Sequence, residues 1–122
     1  MADIIKADLC IIGGGSGGLS VAAGAAQMGA KCVLVEKAKM GGDCLNTGCV
    51  PSKSLLAAAH TAHDARHGAR FGIDAGEVKA DFARVHDHVH GVIASIAPHD
   101  SVERFEELGV QVISAAAEFT GP

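Results

Sequence analysis

Apolar positions along the chain follow two rhythms. Short unbroken runs, Ala7-Asp8-Leu9-Cys10-Ile11-Ile12 and Cys32-Val33-Leu34-Val35, read as buried strands of a parallel sheet. Between them Leu19 to Met28 is rich in alanine and predicts a helix of small side chains, closed by Gly29-Ala30-Lys31. The first run ends abruptly at Gly13-Gly14-Gly15-Ser16-Gly17-Gly18 and the second at the acidic Glu36, so this region predicts a βαβ unit. Met40 to Gly48 reads as a Gly-rich loop. Pro51, in a first helical turn, starts a helix running to about Arg66. Phe71 to Gly76 looks like a connection. Val78 to about Ala97 and Ser101 to Leu108 then carry helical patterning, interrupted near Pro98, and predict two helices that pair. Gly109 closes the last of them, and Val110-Gln111-Val112-Ile113 reads as a further strand. A doubly wound sheet does not normally finish on a lone strand after a helical pair, so the chain is expected to be part of a longer protein.

Composition narrows the class. Hydrophobic residues make up 48% of the 122 residues, charged residues 20%, and there are three prolines, which is a globular balance. Sixteen glycines beside 3% aromatics point to close backbone packing and turns that approach a ligand. A net charge of -4 without a Lys/Arg cluster argues against a nucleic-acid surface or an anionic membrane as partner. The N-terminus carries neither a leader pattern nor a membrane span, which predicts a cytoplasmic protein.

The turn after the first strand carries the first chemistry. Gly13-x-Gly15-x-x-Gly18 lies between a strand and a helix, with Glu36 at the end of the next strand, as a dinucleotide fingerprint requires. Gly13 permits the tight turn, Gly15 lets the backbone approach a pyrophosphate, and Gly18 lets the helix pack on the strand. The helix N-terminus offers free N–H groups and a positive dipole end to the phosphates, and Glu36 can accept hydrogen bonds from ribose hydroxyls. The pattern does not separate FAD from NAD, which share the ADP half.

Four cysteines are present, and Cys44 and Cys49 stand five residues apart at a loop-to-helix junction. In a regular helix such residues lie roughly 8 to 9 Å apart, beyond the ~4.4 to 6.8 Å between Cα atoms that a disulfide tolerates. The backbone between them must therefore unwind, which Gly48 permits, and a distorted, reachable disulfide is the labile kind. A cysteine near a helix N-terminus also has its thiol pKa lowered. A metal site and a simple structural disulfide remain as alternatives, although C-x4-C departs from the usual zinc spacing.

The stretch GGDCLNTGCVPSKSLL, beginning at Gly41, resembles the active-site segment of the class I pyridine nucleotide-disulfide oxidoreductases, a family that includes dihydrolipoamide dehydrogenase, mercuric reductase and glutathione reductase. The resemblance implies a Rossmann-like FAD/NAD(P)-binding α/β fold, a doubly wound parallel sheet incomplete at the C-terminus, with residues 1–122 forming the N-terminal part of an FAD-binding domain. It implies FAD contacts at Gly13, Gly15, Ser16, Gly17, Gly18, Glu36, Lys37, Gly42 and Asp43, at Cys44, Cys49 and Lys53, and at the backbone near Ala117. Cys44 would be the interchange thiol that attacks a substrate disulfide, and Cys49 the charge-transfer thiol against the flavin. Lys53 would stabilise negative charge on the reduced ring. Many relatives carry threonine at the position of Asp43, where a carboxylate would be repelled by the phosphates unless it points away or meets a cation. The family acts as a homodimer, takes electrons from NAD(P)H, and passes them to small-molecule or protein-bound disulfides. Its second nucleotide-binding domain and its interface domain are not in this sequence.

Within the family, reductases of the glutathione branch carry an arginine on the first helix, and Leu19 to Met28 has no basic residue. That helix and the CVPSK ending look more like the dihydrolipoamide dehydrogenase and mercuric reductase branches, although Ser16 resembles the glutathione branch. The alternative to an enzyme is a nucleotide-binding module whose cysteines sense redox state. A zinc-binding face built from His60, His63 and His67, or from His86, His88 and His90, is conceivable, with solvated helical histidines as the simpler account. Cys10 and Cys32 are expected in the core, and Glu103, Arg104, Glu106 and Glu107 on a solvated helix face.

Overall fold

The computed structural model describes residues 3–122. Three parallel strands, β1 (Leu9–Ile12), β2 (Cys32–Glu36) and β3 (Gln111–Ser114), form one sheet with β2 in the middle. Ile11 stands opposite Leu34, and Leu34 opposite Val112. Helix α1 (Ser16–Gln27) makes the crossover from β1 to β2, and a six-residue helix, α5 (Val102–Glu107), leads into β3. The core joins Leu19 and Ala22 of α1, Cys32 and Leu34 of β2, Phe105 of α5 and Val110. Successive strand residues point to opposite faces, so Cys32 and Leu34 face one way and meet α1 and α5 there. The sheet is Rossmann-like, and of the two helix layers of a doubly wound fold these core residues supply one.

Small residues set how closely α1 approaches. A β-carbon on Gly18 would overlap the carbonyl oxygen of Gly13, so the helix rests directly on the turn that precedes it. Phe105, 2% exposed, fills the space left by the alanines of α1; burying such a ring contributes about 1.5–3 kcal/mol.

Between β2 and β3 the chain forms α2 (Gly42–Asn46), α3 (Cys49–Arg66), a 3-10 turn at Gly68–Phe71, α4 (Phe82–Ile96) and a second 3-10 turn at Ala97–Asp100. Four expectations change here. The Gly-rich stretch after Met40 contains the short helix α2. Residues 78–81 are not helical: α4 starts after Asp81, whose carboxylate accepts the Arg84 N–H at 3.2 Å as an N-cap. The helix against which α4 packs is α3, while α5 turns away to the sheet. Cys10 is exposed, in contrast to Cys32, because β1 has strand β2 on one side only and the face opposite α1 is open; Leu9 and Ile12 are likewise 41% and 51% exposed.

Candidate functional site

The Gly-rich turn is tied to its surroundings at one peptide. The Gly14 N–H donates to Glu36 Oε2 at 2.6 Å, and the Gly14 carbonyl accepts from the Gly41 N–H at 2.8 Å. The other oxygen of Glu36 accepts from the Ala38 N–H at 2.7 Å. These backbone donors, Ala38 first and Gly14 next, hold the Glu36 carboxyl below the ordinary carboxylate range. Gly13 adopts φ +105° and donates its N–H to the Val35 carbonyl at 2.8 Å, which fixes where the chain leaves the sheet. Gly15 is the N-cap of α1 without a side-chain cap, and no acidic residue stands in the first turn, so the N–H groups there remain available to an anion.

The cysteine segment folds against this turn. Gly42, at φ +58°, lies so near Gly15 that a β-carbon on it would come within 2.7 Å of the Gly15 Cα. Asn46 closes the short helix by donating to the Gly42 carbonyl at 2.8 Å and the Met40 carbonyl at 3.1 Å. Helix α2 stops at Asn46 and α3 starts at Cys49, so the backbone unwinds between the two cysteines at Thr47 and Gly48. A β-carbon on Gly48 would sit 2.9 Å from the Asp43 carbonyl oxygen and 3.5 Å from the Cys44 Cα. That close approach folds Cys49 back onto Cys44. Both are free thiols, Cys44 partly buried and Cys49 exposed.

The hydrogen bond with the Cys49 side chain, followed by desolvation, pushes the Cys44 thiol above its ordinary pKa, and the nearby Lys53 ammonium opposes this only weakly.

Three clefts surround these groups. One of about 580 Å³ is lined by Gly15, Glu36, Lys37, Lys39, Gly42 and Asp43. A second, of about 360 Å³, lies on the other side of Glu36 and Lys37 and is lined by Gly13 and Ala117. The structure thus brings Gly13, Gly15, Glu36, Lys37, Gly42, Asp43 and Ala117 around one carboxylate. The third cleft, about 390 Å³, holds Cys44 together with Ser16, Ser20, Asp100 and Arg104. Ser16 therefore sits with Cys44 rather than in the two Glu36 clefts, and Gly17, Gly18, Cys49 and Lys53 line none of the three.

Sequence reasoning missed several of these residues. Asn46 stood inside the cysteine motif, but its bonds to Met40 and Gly42 depend on α2, which was read as loop. Arg104 is exposed on α5 together with Glu103, Glu106 and Glu107, as the charge pattern predicts, but its place beside Cys44 is not legible from that pattern. The turn at Ala97–Asp100 rotates the start of α5 and brings Arg104, with Asp100, to the wall beside Cys44. A basic residue thus enters the cysteine cleft from α5 and not from α1. Four of the seven histidines pair: His63 stacks on His67 with ring centres 4.1 Å apart, and His86 meets His90 at 4.2 Å. Among the described residues no group of three or more His, Cys, Asp or Glu side chains is placed to hold a metal, and no helix is long and apolar enough to cross a membrane.

Residues 7–120 match the family described as pyridine nucleotide-disulphide oxidoreductase. A dihydrolipoyl dehydrogenase of Geobacillus stearothermophilus is 41% identical over 92 residues, which is 75% of this chain and 20% of that protein. One from Bacillus subtilis (strain 168) is 45% identical over 89 residues, 73% of this chain and 19% of the relative. Another from the same strain is 36% identical over 114 residues, 91% of this chain and 24% of the relative. The chain therefore spans about a fifth of the length of these relatives. With a match that runs through the Gly-rich turn, the cysteine segment and all three strands, the chain belongs to the pyridine nucleotide-disulphide oxidoreductase family.

Proposed function

We propose that residues 1–122 are the N-terminal part of an FAD-binding domain in a dihydrolipoamide dehydrogenase-like disulfide oxidoreductase. In this reading a cytoplasmic homodimer passes electrons from NAD(P)H through FAD to Cys44 and Cys49 and then to a small-molecule or protein-bound disulfide. The observation that carries it is the Gly14 peptide, bonded to Glu36 on one side and Gly41 on the other, which joins a nucleotide turn to a cysteine pair.

The residues present fit a dinucleotide. Gly42 packs backbone to backbone on Gly15, which sets the cysteine segment against the turn, the start of α1 is uncapped, and Glu36 stands between two clefts with room for a sugar and its neighbours on either side. FAD, when bound, supplies two-electron carrier chemistry between NAD(P)H and the cysteine pair. Gly15 and the first turn of α1 would receive the pyrophosphate through backbone N–H groups, with Lys37 and Lys39 at the rim of the same cleft offsetting its charge. Glu36 would accept the ribose hydroxyls, and the Ala117 backbone would border the adenine. Asp43 is one wall of the pyrophosphate cleft; its carboxylate weakens anion binding there unless Lys39 or Lys37 turns toward it.

In the reduced pair, Cys44 opens onto the third cleft and Cys49 does not, which supports Cys44 as the attacking thiol and Cys49 as the thiol that resolves the mixed disulfide. Lys53 favours the Cys44 thiolate. The roles are tested by treating Cys49→Ser and Cys44→Ser proteins with an aromatic disulfide. Cys49→Ser should accumulate a stable mixed disulfide on Cys44, read as an intact-mass increase. Stable adduct formation on Cys49 of the Cys44→Ser protein, at a higher rate, would reverse the assignment.

A further inference from the structure

The cleft onto which Cys44 opens has a charge pattern of its own. Its volume of about 390 Å³ lies within the ~300–1,000 Å³ typical of small-molecule sites. Leu19, Ala23, Leu45 and Val50 give it apolar walls, and Asp100 and Arg104 are the only residues with formal charge that line it. Opposite charges on one rim would ordinarily pair. Among the described residues, however, neither Asp100 nor Arg104 forms an ion pair with any partner. Arg104 is nonetheless held in place. One guanidinium N–H donates to the His99 carbonyl at 2.5 Å, and the guanidinium carbon lies 5.9 Å from the ring centre of the buried Phe105. A guanidinium has five N–H donors, so the remaining ones stay open to a carboxylate, while the partly buried Asp100 offers an acceptor to an ammonium.

We infer that Asp100 and Arg104 are specificity-determining residues that select disulfides carrying both an ammonium and a carboxylate, the α-amino-acid disulfide class, for attack by Cys44. This rests on the thiol–disulfide chemistry proposed above. The Cys44 thiolate attacks one sulfur of R–S–S–R, forming a Cys44–S–S–R bond as the substrate S–S bond breaks and RS⁻ leaves. The Cys49 thiolate then attacks the Cys44 sulfur, the mixed disulfide breaks, and a second RS⁻ leaves. Two electrons pass from the cysteine pair to the substrate, and the two protons lost by the thiols end on the two released RSH molecules. Asp100 and Arg104 would hold the ends of R during the first step and take no part in bond making.

Four disulfides separate the charges. Cystine carries both groups, cystamine only ammonium, 3,3′-dithiodipropionate only carboxylate, and 2-hydroxyethyl disulfide neither. The pre-reduced protein and its Arg104→Gln and Asp100→Asn variants, checked for native circular dichroism, are reacted with each, and the variant-to-wild-type rate ratio is taken for each probe. Arg104→Gln should slow cystine and dithiodipropionate by about two- to fivefold, the span of an ion pair at a partly exposed rim. Asp100→Asn should slow cystine and cystamine to a similar degree, and neither should change the neutral disulfide. Ratios that are the same for all four probes would overturn the inference. A Cys44→Ser protein separates this from the underlying function. With the exposed Cys10 replaced by serine in both proteins, a Cys44→Ser rate equal to wild type would sink the exchange chemistry at Cys44 and the selectivity together; a much slower Cys44→Ser rate, with charge variants that leave every ratio at one, would sink the selectivity alone.

Discussion

Gly42 and Glu36 carry the geometry at the smallest scale. Gly42 combines a left-handed φ of +58° with a backbone contact to Gly15, so an alanine there meets both a conformational penalty and an overlap with backbone that has no flexible end to move. Gly42→Ala is expected to lower stability by about 1–3 kcal/mol, measured by urea unfolding, and to weaken FAD binding more than this alone implies because the turn that would receive the phosphates shifts. Glu36 has a depressed pKa from its bonds to Ala38 and Gly14. A depressed carboxylate contributes stability that is complete above its unfolded pKa and is lost as pH falls through the folded value. Acid should therefore weaken the Gly14 clasp only below the ordinary carboxylate range, and Glu36→Gln should flatten that part of the stability–pH curve; an unchanged acid limb would show that the clasp contributes nothing. Cys44 shifts the other way. Its raised pKa leaves it largely protonated near neutrality, so its alkylation rate should keep rising with pH above the value for a free thiol, and Cys49→Ser should shift that profile toward lower pH. A profile with its midpoint below that of an ordinary thiol would contradict the raised pKa of Cys44. The residues of this scale were the most legible in sequence: the three glycines of the turn, Glu36 and both cysteines were all visible from spacing. Asp100 and Arg104 were not, because their approach to Cys44 depends on a change of direction at Ala97–Asp100, which no local pattern encodes.

At the scale of elements, caps and breaks decide boundaries that periodicity leaves vague. The run from Val78 looked helical throughout, yet Asp81 caps the Arg84 N–H and starts α4 at Phe82. Ser101 does the same for α5, its hydroxyl accepting the Arg104 N–H at 3.2 Å. A side-chain cap is worth about 1 kcal/mol, and it matters most for a helix of six residues, which is too short to persist without packing. Ser101→Ala is thus expected to loosen α5 and the Arg104 position, read as faster amide exchange at Phe105 and Leu108, whereas Asp81→Ala should leave those amides unchanged. The strands were legible as β-branched and aliphatic runs. Their burial was less so, because an apolar run has the same appearance whether both sheet faces are covered or one is open, and β1 proves to be the exposed case. The partner of α4 was misread because two helices adjacent in sequence need not be adjacent in space: Phe105 draws α5 to the sheet core, leaving α3 for α4.

For the whole molecule, the net charge of -4 opposes the binding of an anionic dinucleotide, so the proposed site depends on local charge and backbone donors. Lys37 and Lys39 line the cleft beside the uncapped start of α1 and balance the carboxylates of Glu36 and Asp43 there, so the cleft is formally neutral within an acidic chain. The same cleft contains Asp43, and the segment carrying Asp43 also carries Cys44 and leans on Gly15. The Glu36 cleft and the Cys44 cleft thus share a wall made of residues 41–44, the feature on which the proposed electron path depends. The most direct measurement is a titration of the protein with FAD, followed by flavin fluorescence and repeated with ADP as competitor. One FAD bound per chain, displaced by ADP and weakened at least about tenfold by Glu36→Ala with the fold intact, is the predicted result. Absence of saturable binding, or binding that neither ADP nor the Glu36 substitution affects, would contradict the account.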